Sequence, residues 1–206
     1  MRLKTTTQHK KYWRDRKIDW DKSYLATWDH PHRKLIIHAL KLFPWFSLWE
    51  VGCGPGANLV KITNELPGHQ LGGSDISEDA INLARKTFVG GKFHIEPSDD
   101  VMLSDFAVDV VLSDAHLIYY GPTKIKAVLK EMIRVSRGYI VLCEYYERNL
   151  WKRLMIRWKT GYNAYNYPRL LEKLGCYSIR TVKIPESYWP DTMWSSVGHI
   201  IIAKKS

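Results

Sequence analysis

Residues 46 to 57 read Phe46-Ser47-Leu48-Trp49-Glu50-Val51-Gly52-Cys53-Gly54-Pro55-Gly56-Ala57, an apolar run that breaks into alternating glycines. Phe46 to Val51 has the length and apolar content of a strand. Ala57-Asn58-Leu59-Val60-Lys61-Ile62 opens a helical pattern, so Gly52, Gly54 and Gly56 occupy a strand-to-helix turn. Glycine has no Cβ, so the backbone there adopts positive φ and admits a ligand to contact distance. The helix N-terminus beyond adds unpaired N–H donors. The turn reads as a cofactor-binding loop.

Working outward, strands alternate with helical patterns, the rhythm of a parallel sheet covered on both faces. Pro31 to Phe43 predicts a helix before the first strand, and the helix from Ala57 should stop before Pro67. Gln70-Leu71-Gly72-Gly73-Ser74-Asp75 predicts a second strand ending in an acid. Ser77 caps a further helix, with Glu78 and Asp79 in its first turn and Ile81, Ala84 and Phe88 as its buried stripe. Lys92 to Glu96, Ala107 to Ser113 and Tyr139 to Cys143 read as strands three to five. The helix between the last two spans Pro122 to Arg137, with Gly138 as its stop. Ser178 to Ile184 and Val197 to Ala203 predict two final strands.

The chain of 206 residues suits one domain, with roughly 70% of its unfolded surface buried. Cys53, Cys143 and Cys176 form no CxxC pair, and Met1 to Thr7 has no apolar signal core, so a reducing, cytoplasmic setting is expected. No apolar stretch approaches the ~20 residues that span a bilayer. Lys and Arg number 31 against 21 Asp and Glu, a net charge of +10 that favours polyanions or simply marks solvated basic faces.

Two ligand classes fit the loop. Gly52, Gly54 and Ala57 satisfy the G-x-G-x-x-G/A pattern of dinucleotide-binding folds, with Asp75 about where a ribose-binding acid belongs. Glu50 two residues before the first glycine, the G-x-G-x-G run and Pro55 point elsewhere. Glu50-Val51-Gly52-Cys53-Gly54-Pro55-Gly56 resembles the E/D-x-G-x-G-x-G motif of class I S-adenosylmethionine-dependent methyltransferases. The order of elements from Leu35 to Lys205 agrees with that family. The resemblance implies a Rossmann-like, doubly wound α/β sheet, mostly parallel with an antiparallel C-terminal strand and helices on both faces.

The resemblance also implies site residues. Gly52, Cys53, Gly54 and Gly56 would wall the methionine and ribose parts of S-adenosylmethionine, Glu50 would hold its amino end, and Asp75 with neighbouring Ile76 would take the ribose. Asp99 or Asp100 would meet the adenine, and Ser113-Asp114-Ala115, where strand four ends, would face the methyl group, with Ser113 as the site residue. The product would be S-adenosylhomocysteine. His116 is the candidate base for a hydroxyl acceptor, since its ordinary pKa lies near neutrality; a neutral amine needs none. Tyr119, Tyr120, Glu144 and Tyr145 are candidates for the acceptor pocket. No metal is expected: His30-Pro31-His32 lacks the helical spacing of a zinc pair, and no Cys/His cluster completes it.

Segments outside the common order should select the acceptor. Residues 1–30 interleave Tyr12, Trp13, Trp20, Tyr24 and Trp28 with charges, as a lid over the cofactor or a segment pinned by its aromatics. Residues 146–166 form a cap-like insertion after strand five. Within it Trp151, Leu154, Met155 and Trp158 share one helical face among Arg148, Lys152, Arg153, Arg157 and Lys159. An O or N acceptor on a small molecule is the first expectation, RNA the second, and a cofactor-binding module without turnover the third. Membrane contact is the least favoured.

Overall fold

The computed structural model describes residues 4–206, so the first three residues of the expected N-terminal segment lie outside it. One sheet holds seven strands in the order β3-β2-β1-β4-β5-β7-β6. They are β1 Ser47–Val51, β2 Gln70–Asp75, β3 Lys92–Ile95, β4 Val108–Asp114, β5 Ser136–Tyr145, β6 Cys176–Lys183 and β7 Gly198–Lys205. β1 to β5 pair in parallel, and β7 runs antiparallel to both of its neighbours. The chain starts in the middle of the sheet, builds to one edge through β3, then crosses back to β4. The carboxyl ends of β1 and β4 therefore diverge into a crevice, where open α/β sheets bind ligands.

Among the described residues nine α-helices cover the sheet and its ends: α1 Thr6–Asp15, α2 Trp20–Ser23, α3 Arg33–Leu40, α4 Ala57–Glu65, α5 Glu78–Thr87, α6 Ile125–Val135, α7 Leu150–Thr160, α8 Tyr167–Lys173 and α9 Met193–Val197. Strand alternation divides the interior into two cores. Trp49, Val51, Val111, Ile140 and Leu142 turn to one side and pack with Leu129 and Met132 of α6 and Leu171 of α8. Leu48, Val110, Leu112, Val141 and Cys143 turn to the other, against Ile36 and Leu40 of α3, Leu59 and Ile62 of α4 and Ile81 of α5. With both faces buried, β4 carries the nearly unbroken apolar run read from the sequence.

Gly138 does not stop α6. The helix ends at Val135, and Ser136 passes directly into β5, with Gly138 inside the strand. The last carbonyls of α6 find their donor far along the chain. Lys205 Nζ donates to Ile133 O at 2.7 Å and Ser136 O at 2.8 Å, so a cation does the work expected of a glycine cap. α8 and α9 were not foreseen, although Asn166 caps α8 and Pro168 opens it in the usual manner.

The first strand is fixed to its neighbour by one carboxylate. Asp109 Oδ2 accepts from Phe46 N, Ser47 N and Ser47 Oγ at 2.9–3.0 Å, while Oδ1 pairs with Arg137. Burial alone would raise its pKa, but these donors outweigh it and hold Asp109 below the usual carboxylate range. Asp109→Ala should cost roughly 2–3 kcal/mol, measured by urea denaturation, because it strands two backbone donors at the start of β1.

Candidate functional site

The glycine loop closes over the end of β1 in a shape that side chains forbid. At Gly52 φ is +70°, and a Cβ would lie 2.2 Å from the ring of His116. At Gly56, the N-cap of α4, φ is +90°, and a Cβ would meet Phe88 at 2.8 Å. Asp75 stands across this loop with both oxygens engaged. Oδ2 accepts from Gly54 N at 3.0 Å and Oδ1 from Ser77 N at 2.9 Å. Each oxygen keeps a free lone pair, and the side chain cannot turn away. Burial pushes the Asp75 pKa up against these donors.

A cavity of about 370 Å³ opens beside the loop. Glu50, Gly52, Cys53, Gly54, Asp75 and Ile76 from the expected set line it, as do His116, Tyr119 and Tyr120. Other expected residues do not reach it. Gly56 stands behind the wall, since its role is to start α4. Asp99 pairs with Lys10 and Lys124, which hold its carboxylate below its ordinary value despite burial. The wall expected from Asp99 or Asp100 is formed instead by Glu96, Pro97 and Ser98. Ser113 points into the protein, and the strand-four residue that reaches the cavity is Asp114.

At the end of the cavity beside Glu50 lies a buried polar cluster that sequence reasoning largely missed. Asn58 Nδ2 donates to Glu50 Oε1 at 2.6 Å and to Asp114 Oδ2 at 3.0 Å. His32 Nε2 lies 2.9 Å from Asp114 Oδ2, and His30 Nδ1 lies 2.6 Å from His32 Nδ1. The His32 backbone N–H also donates to His30 Nδ1, at 3.4 Å. Burial, with the neighbouring His32 and Arg33, pushes His30 down to about 4. Burial would raise Asp114, but His32, Arg33 and Asn58 outweigh it and hold it well below the carboxylate range. Glu50, fully buried and near the Asp114 charge, is pushed up to about 8.

His32, Asp114 and Cys143 bring a nitrogen, an oxygen and a sulfur within 4.8 Å of one another, a grouping the sequence reading did not expect. His32 and Asp114 already face each other as partners. Burial and the Asp114 charge also push the Cys143 thiol up.

The turn after β4 depends on Glu144. Its Oε1 accepts from Ser113 Oγ at 2.7 Å, His116 N at 3.0 Å and Leu117 N at 2.9 Å. This clasp holds Ala115 at φ +54°, a strained value for a residue with a side chain, and so seats the His116 ring against Gly52. Glu144 is fully buried, with its pKa pushed up to about 7, and positions the wall from behind rather than meeting a ligand. Tyr145 is likewise packed away, against Tyr162 and Trp194. His116 Nε2 contacts Ser98 Oγ at 2.7 Å. Burial and then Lys10 push the imidazole down to about 4, which makes it a poor proton acceptor at neutral pH and weighs against the expected base.

The N-terminal segment forms the roof of the cavity. α1 is started by a capping box at Thr5 and Gln8, and Thr6 Oγ1 accepts from Gly121 N at 2.8 Å. Trp13 packs against Trp20, Tyr24 and Tyr119, and His9 against Tyr119. The segment is thus packed onto the domain by its aromatics and lines the cavity. A second cavity of about 260 Å³ lies beyond it and shares His9, Trp13, Tyr24 and Tyr119 with the first. The expected cap at 146–166 contributes only Thr160, Gly161 and Tyr162 to that space.

Residues 49–138 match a family model described as a methyltransferase domain, and this segment holds the glycine loop, Asp75 and the β4 end. That segment is under half of the 206 residues and carries the glycine motif, and there the chain is similar to the methyltransferase domain. No curated protein matches the chain in sequence. Among solved structures, magnesium protoporphyrin IX methyltransferase from Synechocystis PCC 6803 with bound S-adenosylmethionine is similar at 16% identity and TM-score 0.68, over 100% of this chain and 99% of that one. A chain of the Haloferax volcanii complex between the Trm112 methyltransferase activator and a methyltransferase gives 16% and 0.68, over 93% and 96%. A 4+2 cyclase gives 16% and 0.70, over 98% and 97%. Such likeness establishes the shared fold, and the cyclase shows why the chemistry must be read from the site.

The site fits S-adenosylmethionine on its own atoms. Glu50 Oε2, Asn58 Oδ1 and Asp114 Oδ1 are buried oxygens without a hydrogen-bond partner, and all three accept once Glu50 is ionised. An ammonium offers three N–H donors and no acceptor, the complement of that set. The free lone pairs of Asp75 suit a pair of hydroxyls. His32, Arg33 and Asn58 were missed because no local motif marks them; only the sheet crossing brings α3 and α4 to Asp114.

The raised Glu50 pKa predicts proton linkage. In the free protein Glu50 holds its proton below about pH 8, whereas a bound ammonium favours the carboxylate. Binding of S-adenosylmethionine at pH 7 should therefore release a proton, and affinity should rise by up to about tenfold per pH unit, levelling near pH 8. Calorimetry in buffers of different ionisation enthalpy reads this directly, and Glu50→Gln should abolish the release.

Proposed function

We propose that the chain transfers a methyl group from S-adenosylmethionine to a carboxylate oxygen of a small, flat acceptor seated in the second cavity. The observation that supports this reading is the wall of His9, Trp13, Tyr24 and Tyr119, which two adjoining cavities share. Glu50, Asn58 and Asp114 would hold the amino end of the cofactor and Asp75 its ribose. When bound, S-adenosylmethionine supplies an electrophilic methyl group on a sulfonium with a thioether leaving group. What remains for the protein is alignment and exclusion of water.

The side chains of the second cavity favour this acceptor. Tyr12, Trp13, Tyr24, Tyr119 and Tyr162 offer ring faces, while Lys4 and Arg16 stand over Tyr12 at 4.1 and 5.2 Å and supply positive charge. No group on the shared wall suits proton removal at neutral pH. Burial pushes Tyr119 far above its ordinary value, and His9 is lowered by burial and then by Lys4. A carboxylate arrives already ionised and needs no base. Its oxygen gains the methyl bond while the sulfur keeps the electron pair of the bond that breaks, and no proton moves.

Incubation with methyl-labelled cofactor and fractionated cell extract tests the reading. The label should enter a small molecule and be released as methanol by mild alkali, as an ester requires. Label in RNA, or an alkali-stable product, would refute it. On the identified acceptor, Arg16→Gln should raise KM about tenfold, near 1.4 kcal/mol, with cofactor affinity unchanged. At saturating cofactor kcat should stay flat between about pH 6 and 8, since no base titrates there.

A further inference from the structure

Helix α7 is mounted with its apolar stripe outward. Residues 153, 156, 157 and 160 face the domain: Ile156 is buried, and Arg157 donates to Asn163 Oδ1 at 2.8 Å. The opposite face presents Trp151 at 76% exposure, Trp158 at 73%, Met155 at 55% and Leu154 at 50%, with Leu150 beside them at 57%. A helix packed for the benefit of its own domain would be turned the other way. Both ends are fixed, by the Asn149 side chain accepting from Lys152 N and by Gly161 in the left-handed conformation. The stripe is therefore a rigid surface feature.

Charge identifies what covers it. From Arg148 to Leu171 the sequence contains no Asp or Glu, and Arg148, Lys152, Arg153, Arg157, Lys159 and Arg169 are all basic. Lys152 and Lys159 are exposed along one edge of the stripe, and Arg148 is exposed before the helix. A second copy docked through the same face would set these cations against their own equivalents. An anionic lipid surface satisfies both parts, because tryptophan and aliphatic side chains enter the acyl boundary while lysines meet the headgroups. We propose that α7 docks the protein onto anionic membrane surfaces, lying in the interface without crossing it. No helix among the described residues is long and apolar enough to span a bilayer. Thr160 and Gly161, where α7 ends, also line the second cavity, so docking brings its wall to the lipid.

Sedimentation of the full chain with phosphatidylcholine vesicles containing phosphatidylserine, against phosphatidylcholine alone, tests this. The wild type should bind the anionic vesicles about tenfold more tightly. Trp151→Ser combined with Trp158→Ser should weaken that binding at least about tenfold while leaving S-adenosylmethionine affinity and the melting temperature unchanged, since both side chains are exposed. Should that pair fail to fold, Lys152→Glu with Lys159→Glu carries the test through the same loss. The proposal is overturned if wild-type protein ignores anionic vesicles, or if a folded variant pair binds them like wild type. A dimer that dissolves with these substitutions, or RNA binding through α7 in place of lipid binding, would also overturn it.

Discussion

Two carboxylates at the ends of adjacent strands share one amide donor, and much of the molecule is arranged around that shortage. Glu50 and Asp114 arrive together because β1 pairs with β4, and Asn58 Nδ2 bridges them. Two buried negative charges so placed repel each other, so they are held in different states. Asp114 is kept ionised by His32 and Arg33, which fixes the start of α3 against the crevice. Burial and the Asp114 charge push Glu50 the other way, up to about 8. The unpaired oxygens left at this end would be a defect in an ordinary core; as a group they are the complement of a donor-only cation.

A second constraint acts through backbone geometry. Glu144 gathers a hydroxyl and two backbone N–H groups from the turn after β4, and this offsets the strain at Ala115. The turn in turn places His116 where only glycine is tolerated opposite. Loop and turn are thus mutually selected: Gly52 is needed because of a ring 64 positions later in the chain, not solely because of a ligand.

The fold was legible wherever local signals agreed. Strand β2 and the start of α5 at its Ser77 cap were read to the residue, since caps, acids and apolar stripes act within one turn. Gly138 misled because Lys205, folded back from the last strand, caps the helix that a glycine was expected to end. At the site, the loop, Glu50 and Asp75 stood out because their chemistry is contiguous with a strand end. Asp99, Asp100 and Ser113 lie next to the residues that reach the cavity, and a shift of one or two positions decides which side chain faces inward. His32 and Arg33 were not read as site residues, because the contacts that place them span the sheet crossing; the aromatic segment before them was read as a lid or a pinned helix from its composition alone. The stripe on α7 was seen, but periodicity says only that a face exists, not which way it turns.

The roof joins the domain without joining the sheet. Thr6 meets Gly121 across 115 positions and Lys10 meets Asp99 across 89, and these are side-chain contacts, not strand pairing. A segment held in this way parts from its neighbours at lower cost than a strand leaves a sheet, so the space above the crevice is walled by the more easily separated part of the fold.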